Sequence, residues 1–361
     1  MYIHQRQDWT KFRYDEQRLL ALLSSVRHSQ GRLLGRMESL GFSLREEAIL
    51  TTLTLDVMKS TEIEGELLDK EQVRSSIARR LGVAKFDLVA SSRNVDGVVE
   101  MMIDATQNYD KELTEDRLFG WHAALFPLGY SGMYKIEVAK YRTGEMQVVS
   151  GAMGMEKVHY EAPKSEVLDA EMKTFLAWLN SDTTIDNVIK SAIAHFWFVT
   201  IHPFDDGNGR IARTIADMLL SRSDGSEQRF YSMTNQIKKE RKEYYEVLEA
   251  SQKGSNDITD WIEWYLECLQ RTLEATDDIL ESILAKSRFW DSHRKTAINE
   301  RQRKILNRLF DGFEGKLTSS KWAKICKCSQ DTALRDIQDL VSKEILQRTN
   351  EKGRSINYEL K

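Results

Sequence analysis

The stretch from Asp186 to Arg213 constrains this chain more than any other. A helical pattern over 186–201 runs into a short loop with two glycines and then directly into a second helix. Ile189, Ile193 and Phe196 form an inward stripe, and Trp197 and Phe198 carry the apolar surface beyond it. A helix that is apolar nearly all round towards its C-terminal end is predicted to be central and buried. The loop reads His202-Pro203-Phe204-Asp205-Asp206-Gly207-Asn208-Gly209-Arg210-Ile211-Ala212-Arg213, and Ile215, Met218, Leu219 and Leu220 continue the second helix.

Such a loop is built to take an anion. Glycines let the backbone approach a ligand closely, and the free N–H groups of a helix start point at it with the helix dipole behind them. Arg210 and Arg213 stand three residues apart and share a helix face. Two guanidinium groups beside free N–H groups suit a polyphosphate. Asp206 supplies a hard carboxylate where a phosphate-bridging Mg²⁺ needs one. His202 titrates near neutrality and can take the proton of an attacking hydroxyl. A lone His or Asp here would be read as a helix cap, but the full constellation argues against that.

Residues 202–213 also match, at every fixed position, the pattern His-x-Phe-x-(Asp/Glu)-Gly-Asn-Gly-Arg-x-x-Arg, and on these residues the chain resembles the Fic family. The resemblance implies a mainly α fold, a Fic-type helical core with a β-hairpin flap. It also implies a protein adenylyltransferase, which moves AMP from ATP onto a Ser, Thr or Tyr hydroxyl of a target protein and releases pyrophosphate. ATP is then the substrate, and Mg²⁺ or Mn²⁺ the metal. His202 resembles the general base, Phe204 the residue that anchors the loop, and Asp206 the metal-binding acid. Gly207, Asn208 and Gly209 resemble the anion hole, and Arg210 and Arg213 the β- and γ-phosphate contacts. Gly209 stands where the kinase-like branch of the family usually carries Lys, which favours AMP transfer over phosphate transfer.

Two further segments extend the resemblance over about 60–250. The hairpin at 146–151 looks like the flap that aligns a target segment by strand pairing, which puts Val148, Val149, Ser150 and Gly151 among the nucleotide-binding residues. Lys242 to Leu248 is family-like, placing Tyr244 and Gln252 near the adenosine; for Tyr244-Tyr245, ordinary helix packing is an equal reading. Upstream, Ser60-Thr61-Glu62-Ile63-Glu64-Gly65 fits the inhibitory pattern (Ser/Thr)-x-x-x-Glu-(Gly/Asn). Glu64 is therefore expected to restrain transfer. Alternatively, Glu64 aligns water for removal of AMP. A third reading is a nucleotide-sensing DNA-binding regulator, which would need neither His202 nor Asp206.

The rest of the chain sets the organisation. Residues 1–15, with Trp9, Phe12 and Tyr14, are predicted to be an ordered arm. A helix follows through Leu19 to Leu34, with Gly31 and Gly35 as weak spots. Ser43-Leu44-Arg45-Glu46 matches a capping box, and Gly65 is a natural stop for the helix it opens. Helices fit 69–81, 91–108, 114–126 and 165–180. Between the last two, Tyr141 to Val149 is β-like around a glycine turn, which predicts a hairpin. The expected domains are 1–110, carrying the inhibitory motif at 60–65, then 111–255 for catalysis, a helical connector at 256–297 and a small domain at 298–361.

That last domain is predicted as three helices and a basic hairpin. Ile305 and Leu306 lie on the first helix, Thr318–Ile325 form the second, and Ser329–Ser342 the third, with Ala333, Leu334, Ile337, Leu340 and Val341 inward. Leu346-Gln347-Arg348-Thr349 and Ser355-Ile356-Asn357-Tyr358 would flank Lys352-Gly353-Arg354. This resembles a small winged helix-turn-helix. Residues 316–361 hold ten Lys and Arg against six Asp and Glu in a chain of net charge −4. Asp331, Asp336 and Asp339 on the third helix are nevertheless poor for a phosphate-lined groove. DNA binding and a protein-binding or dimerising role stand as equal readings, and the latter allows a homodimer.

Three cysteines, Cys268, Cys326 and Cys328, are too few and too oddly spaced for a disulfide framework or a zinc site. No run of 18 apolar residues exists, so no membrane partner is expected, and Met1 to Gln5 is no secretory signal. A cytoplasmic location follows as the expectation.

Overall fold

The buried helix and its successor form the centre of the structure. α7 (Asn187–Ile201) is buried from Val188 to Ile201, and Phe196, Phe198 and Ile201 have no exposed surface. Full burial of side chains of this size stabilises by roughly 1.5–3 kcal/mol each. α8 (Asn208–Asp224) packs antiparallel to α7 across the short loop, and Ile211, Ile215, Met218, Leu219 and Leu220 are all buried. In this computed structural model residues 1–38, 42–83, 88–150, 157–310, 313, 315–349 and 357–361 are described.

Two compact units are present, Met1–Asp277 and Asp278–Lys361. In the first, α1 (Glu16–Glu38), α2 (Phe42–Ile63), α3 (Lys70–Arg80), α4 (Arg93–Gln107) and α5 (Glu115–Leu125) precede the β segments. The regions expected as separate domains at 1–110 and 111–255 fold as one unit, because α2 and α4 pack against α8 and α2 against α9. The N-terminal arm is ordered as predicted: Arg13 bridges to Asp257, and Trp9 and Phe12 pack edge-on against Trp197. α1 runs unbroken through Gly31 and Gly35. Neither glycine is required by close packing, since a Cβ at either would meet no atom within 4 Å; their entropic cost is outweighed by the packing of the helix.

Two expectations for the first unit need correcting. α2 begins at Phe42, so Ser43 already lies within its first turn rather than preceding it. The hairpin does not turn at Gly144. β1 (Tyr130–Ser131) pairs with β2 (Tyr134–Lys135), and β3 (Gln147–Ser150) pairs antiparallel with β4 (Lys157–Glu161), a later segment. The Tyr141–Glu145 stretch is instead tied to the loop after α7, where the Arg142 N–H donates to Pro203 O at 2.9 Å. Gly151 lies outside the described residues.

α6 (Leu168–Asn180) packs on α7, and α9 (Met233–Lys239) and α10 (Arg241–Gln252) follow α8. The stretch expected as a connector is mostly one helix, α11 (Thr259–Ser292), and the division between units falls within it. No helix among the described residues is long and apolar enough to cross a membrane.

In the second unit α12 (Glu300–Phe310), α13 (Ser319–Cys326) and α14 (Gln330–Ser342) precede an antiparallel pair, β5 (Leu346–Arg348) and β6 (Tyr358–Leu360). Thr318 and Ser329 cap α13 and α14 through their hydroxyls. β6 begins at Tyr358 among the described residues, and Lys352, Gly353, Arg354, Ser355 and Ile356 lie outside them. Ile305, Leu306, Trp322, Ile337 and Leu340 form the core, but Leu334 is exposed, contrary to expectation. One of the three acids on α14 also turns inward. Asp336 is buried and accepts from Arg301 Nε at 2.7 Å. Asp339 accepts from Gln302 at 2.7 Å and pairs with Lys343, but its side chain is 43% exposed and Asp331 is exposed as well.

Candidate active site

α7 ends on His202, whose backbone is left-handed at φ 53°. A non-glycine residue held there is uncommon and frequently marks function. The twist lets the His202 N–H cap α7 on Phe198 O, while the ring Nδ1 lies 3.1 Å from Val199 O. A carbonyl can only accept, so Nδ1 carries the proton and Nε2 is the basic nitrogen. Burial holds the His202 pKa below the ordinary histidine value, with Arg142 adding to the effect and the Val199 carbonyl, Glu64 and Asp206 opposing it.

The loop after His202 is closed by its own side chains. Asn208 Oδ1 accepts from Phe204 N at 3.0 Å, and its Nδ2 donates to Phe204 O at 2.8 Å. The amide of Asn208 is therefore spent on loop shape, and what it offers an anion is its backbone N–H at the start of α8. Phe204 is fully buried, and its ring stacks on His122 with centroids 4.1 Å apart. Gly207 is left-handed at φ 81°, and a Cβ there would meet the Phe126 ring at 2.9 Å.

His122 and Arg142 were not identified from the sequence. His122 Nδ1 accepts from Ala139 N at 3.1 Å, so its Nε2 donates to Asp206 O at 3.2 Å. Burial lowers its pKa to about 4, which keeps the ring neutral and this tautomer fixed. Arg142 is buried, and its Nε donates to His202 O at 2.8 Å while Nη1 reaches Gly144 O at 2.7 Å. It ties the segment before β3 to the residue after α7. No local pattern marks either residue, since their partners lie 84 and 60 positions away.

The charged groups gather at the start of α8. Asp206 accepts from Gly207 N and from the Ser131 hydroxyl, and its side chain is 39% exposed. Arg210 is only 3% exposed, yet its nearest carboxylates are distant: Glu66 at 3.5 Å and Asp206 at 3.8 Å. Its Nε is buried with no hydrogen-bond partner among the described residues, and its guanidinium lies over the Phe126 ring. Arg213 is as buried but fully engaged. Its Nε donates to Ser60 Oγ at 3.1 Å, and its Nη2 donates to Ser60 O at 2.9 Å and to Glu64 Oε1 at 2.7 Å. Burial is the largest single influence and works against the charged form of Arg213, but Glu64, Tyr244 and Tyr245 together outweigh it and the pKa is raised.

Both fixed polar positions of the 60–65 motif thus meet one guanidinium. α2 ends at Ile63, and Gly65 turns the chain at φ 90°, which leaves Glu64 projecting over the helix start. A Cβ on Gly209 would lie 2.5 Å from Glu64 Oε1, so a larger residue there would push that carboxylate aside. Deeper in the unit, Ser232 donates to Asp56 of α2, and Arg229 pairs with Asp217 of α8 at 3.0 Å. Burial, reinforced by Asp217, pushes the Asp56 pKa well up.

Tyr244 and Gln252 are both buried. Tyr244 has its hydroxyl 2.9 Å from His195 Nε2 and packs against Trp261 and Trp264, and Gln252 donates to Thr200 Oγ1. Tyr244 thus packs among the helices, and it also stands beside Arg213 and Glu64, whose charges act on its hydroxyl. Val149 and Ser150 are exposed on the flap and Val148 is half-buried. β4 anchors the flap through Tyr160, whose hydroxyl donates to Thr200 O at 2.8 Å.

The donor set bears on the metal. Among the described residues there is no group of three or more His, Cys, Asp or Glu able to hold an ion. One half-exposed carboxylate beside an anion cradle fits Mg²⁺ or Mn²⁺ carried in with a polyphosphate, since Mg²⁺ is usually held by one or two carboxylates plus substrate phosphates.

Comparison with known proteins agrees with this geometry. Residues 112–220 match the Fic/DOC family, and residues 2–83 match a domain of unknown function, DUF4172. The chain is 35% identical over 118 residues to protein adenylyltransferase Fic of Drosophila melanogaster, covering 31% of this chain and 22% of that protein. It is 26% identical over 223 residues to protein adenylyltransferase Fic of Nematostella vectensis, covering 61% and 47%. It thus spans less than half the length of these relatives. The fold is similar to a Fic family protein from Desulfovibrio desulfuricans G20, with a TM-score of 0.54, 20% identity and 95% of each chain covered. A Fic domain containing signaling protein from Bacteroides thetaiotaomicron is also similar, with a TM-score of 0.50, 19% identity, and coverage of 72% and 94%.

Proposed function

We propose, from the premise that this chain carries a Fic/DOC-family domain over residues 112–220, that it transfers AMP from ATP to a hydroxyl side chain of a target protein and is restrained by Glu64. The observation that carries the reading is the pairing of a histidine with its tautomer fixed by Val199 and a helix start flanked by two buried arginines. The target hydroxyl oxygen bonds to the α-phosphorus, pyrophosphate leaves with the electron pair of the broken P–O bond, and the hydroxyl proton passes to Nε2 of His202. The N–H groups of Gly207, Asn208 and Gly209 and the guanidinium of Arg210 hold the phosphates. Asp206 would hold the metal, which when bound supplies charge neutralisation of the phosphate oxygens. Arg213 is the natural γ-phosphate contact, and Glu64 occupies it first.

A second reading keeps Glu64 as a base that aligns water for removal of AMP. It is favoured by the 31% exposure of that carboxylate at the helix start. One experiment separates these readings. Native protein and Glu64→Gly are incubated with adenosine-labelled ATP and cell lysate, with and without chelator. AMP transfer predicts metal-dependent labelling that rises in the variant and is abolished by adding Asp206→Ala. Removal of AMP predicts that native protein strips label laid down by the variant and that Glu64→Gly does not. No labelling under any condition would overturn the enzymatic reading.

A further inference from the structure

Arg142 is a buried cation held entirely by backbone. It is 2% exposed, and its side chain donates to three carbonyls rather than to a carboxylate. Nε reaches His202 O at 2.8 Å, Nη1 reaches Gly144 O at 2.7 Å, and Nη2 reaches Pro163 O at 2.5 Å. Its own N–H donates to Pro203 O at 2.9 Å. Burial works against the charged guanidinium, with Asp205, Tyr160 and Glu166 opposing that effect. Desolvating such a group is costly, and an apolar side chain would fill a purely structural place at least as well.

The four acceptors belong to two different parts of the site. Gly144 precedes β3 and Pro163 follows β4, so the guanidinium fork ties together both roots of the flap. The same roots are joined by Ala162 N to Met146 O and by Ser165 Oγ to Thr143 O, each at 2.9 Å. His202 and Pro203 belong to the loop after α7. The left-handed backbone of His202, at φ 53°, persists only where its surroundings fix it. Arg142 supplies that restraint by holding the carbonyls of His202 and of the residue after it. Burial first, and then the charge of Arg142, keep the His202 ring neutral, while the Val199 carbonyl, Glu64 and Asp206 act the other way.

We propose that Arg142 is a positioning residue for transfer, holding the base and both roots of the flap in one frame. A strand paired with the flap then meets Nε2 of His202 at a fixed distance. The inference rests on the AMP-transfer reading. Arg142 acts through the His202 backbone and the flap rather than on a substrate.

The test uses the full-length chain in the Glu64→Gly background, which leaves Arg142 and Asp206 as the side-chain charges acting on His202. Initial rates of AMP incorporation from adenosine-labelled ATP into a fixed cell lysate are read against pH, and ATP affinity by calorimetry. Thermal melts set a working temperature at which each variant is folded. Arg142→Lys keeps the charge, but one ammonium cannot reproduce a planar fork that spans three carbonyls. It should transfer about 10²-fold more slowly, the effect of a small misplacement of reacting groups, with ATP affinity and the acid limb of the rate profile unchanged. Arg142→Gln should lose at least as much rate, again with ATP affinity unchanged. Its acid limb should move up, because the folded pKa of the base rises once the neighbouring cation is gone. An Arg142→Lys rate equal to that of its parent overturns the inference. A loss of rate matched by an equal loss of ATP affinity overturns it too, since Arg142 would then be a general structural residue. An acid limb that stays in place in Arg142→Gln overturns the part assigned to its charge. No labelling by the Glu64→Gly parent means that the transfer reading has failed, and the inference fails with it.

Discussion

The two ends of the anion cradle on α8 are satisfied very differently. Arg213 is closed by the three hydrogen bonds it donates, to Ser60 near the end of α2 and to Glu64 just beyond it. Arg210, a turn earlier and equally buried, has only long contacts to Glu66 and Asp206, the face of Phe126, and an Nε without a partner among the described residues. Leaving a buried charge so thinly paired is costly in a structural role, because its desolvation is not offset. The contrast teaches that one cation is held by the protein itself while the other is left thinly paired, which supports the proposal that Arg210 meets the phosphates. In that proposal, restraint by Glu64 acts at one end of the polyphosphate only.

The largest expected effect is blind to this difference and so serves as its control. His202→Ala should lower AMP transfer by ~10²–10⁴, with ATP affinity, read by calorimetry, unchanged in the native and Glu64→Gly backgrounds alike. A matching loss of affinity would make His202 a structural residue.

Opening the closed end comes next. Glu64→Gly should raise transfer ~5–150-fold, the usual span of a coupling between two sites, and adding Arg213→Ala should remove the gain. If Glu64→Gly binds ATP but transfers no faster than the native chain, the closed end is not a restraint.

Stability should split the two arginines. Arg213→Ala strands Glu64 and Ser60 and should cost roughly 1–3 kcal/mol in denaturant unfolding without nucleotide. Arg210→Ala should cost less than 1 kcal/mol by the same principle, because it removes no good hydrogen bond. It should instead weaken ATP binding in the Glu64→Gly background. Equal costs for the two would break the comparison.

The pH dependence sharpens it further. The base acts as neutral imidazole, and burial holds His202 below its ordinary pKa of 6.5. Transfer should therefore persist as pH falls through 6.5 and be lost only at the lower folded value. Glu64 favours the protonated ring, so Glu64→Gly should move the acid limb further down. An upward move in the rate profile would contradict that geometry.

The smallest effect is expected one side chain away. Glu62 pairs with Lys59 at 2.6 Å and Lys238 at 3.5 Å rather than with Arg213. Glu62→Ala should leave transfer within about twofold, in keeping with the ≈ 0–1 kcal/mol of partly exposed pairs.

Local chemistry made much of this legible in the sequence. The apolar run of α7, the loop from His202 to Arg213 and the stop at Gly65 depend on neighbours in the chain, so residue types and spacing were enough to place them. The pairing of Glu64 with Arg213 could be anticipated because two short motifs each carried half of it. Tertiary structure alone decided what depends on distant partners. It turned His122 and Arg142 into struts of the loop after α7, buried Tyr244 beside Arg213, and drew Asp336 inward from α14. It also paired β3 with β4 rather than turning the chain at Gly144, and so put His159 in a bulge that reaches Ser150 and Glu249. Periodicity records which face of an element is apolar; which polar group a side chain meets across the fold is settled only when the elements pack, because a hydrogen bond needs its partner within about 3 Å.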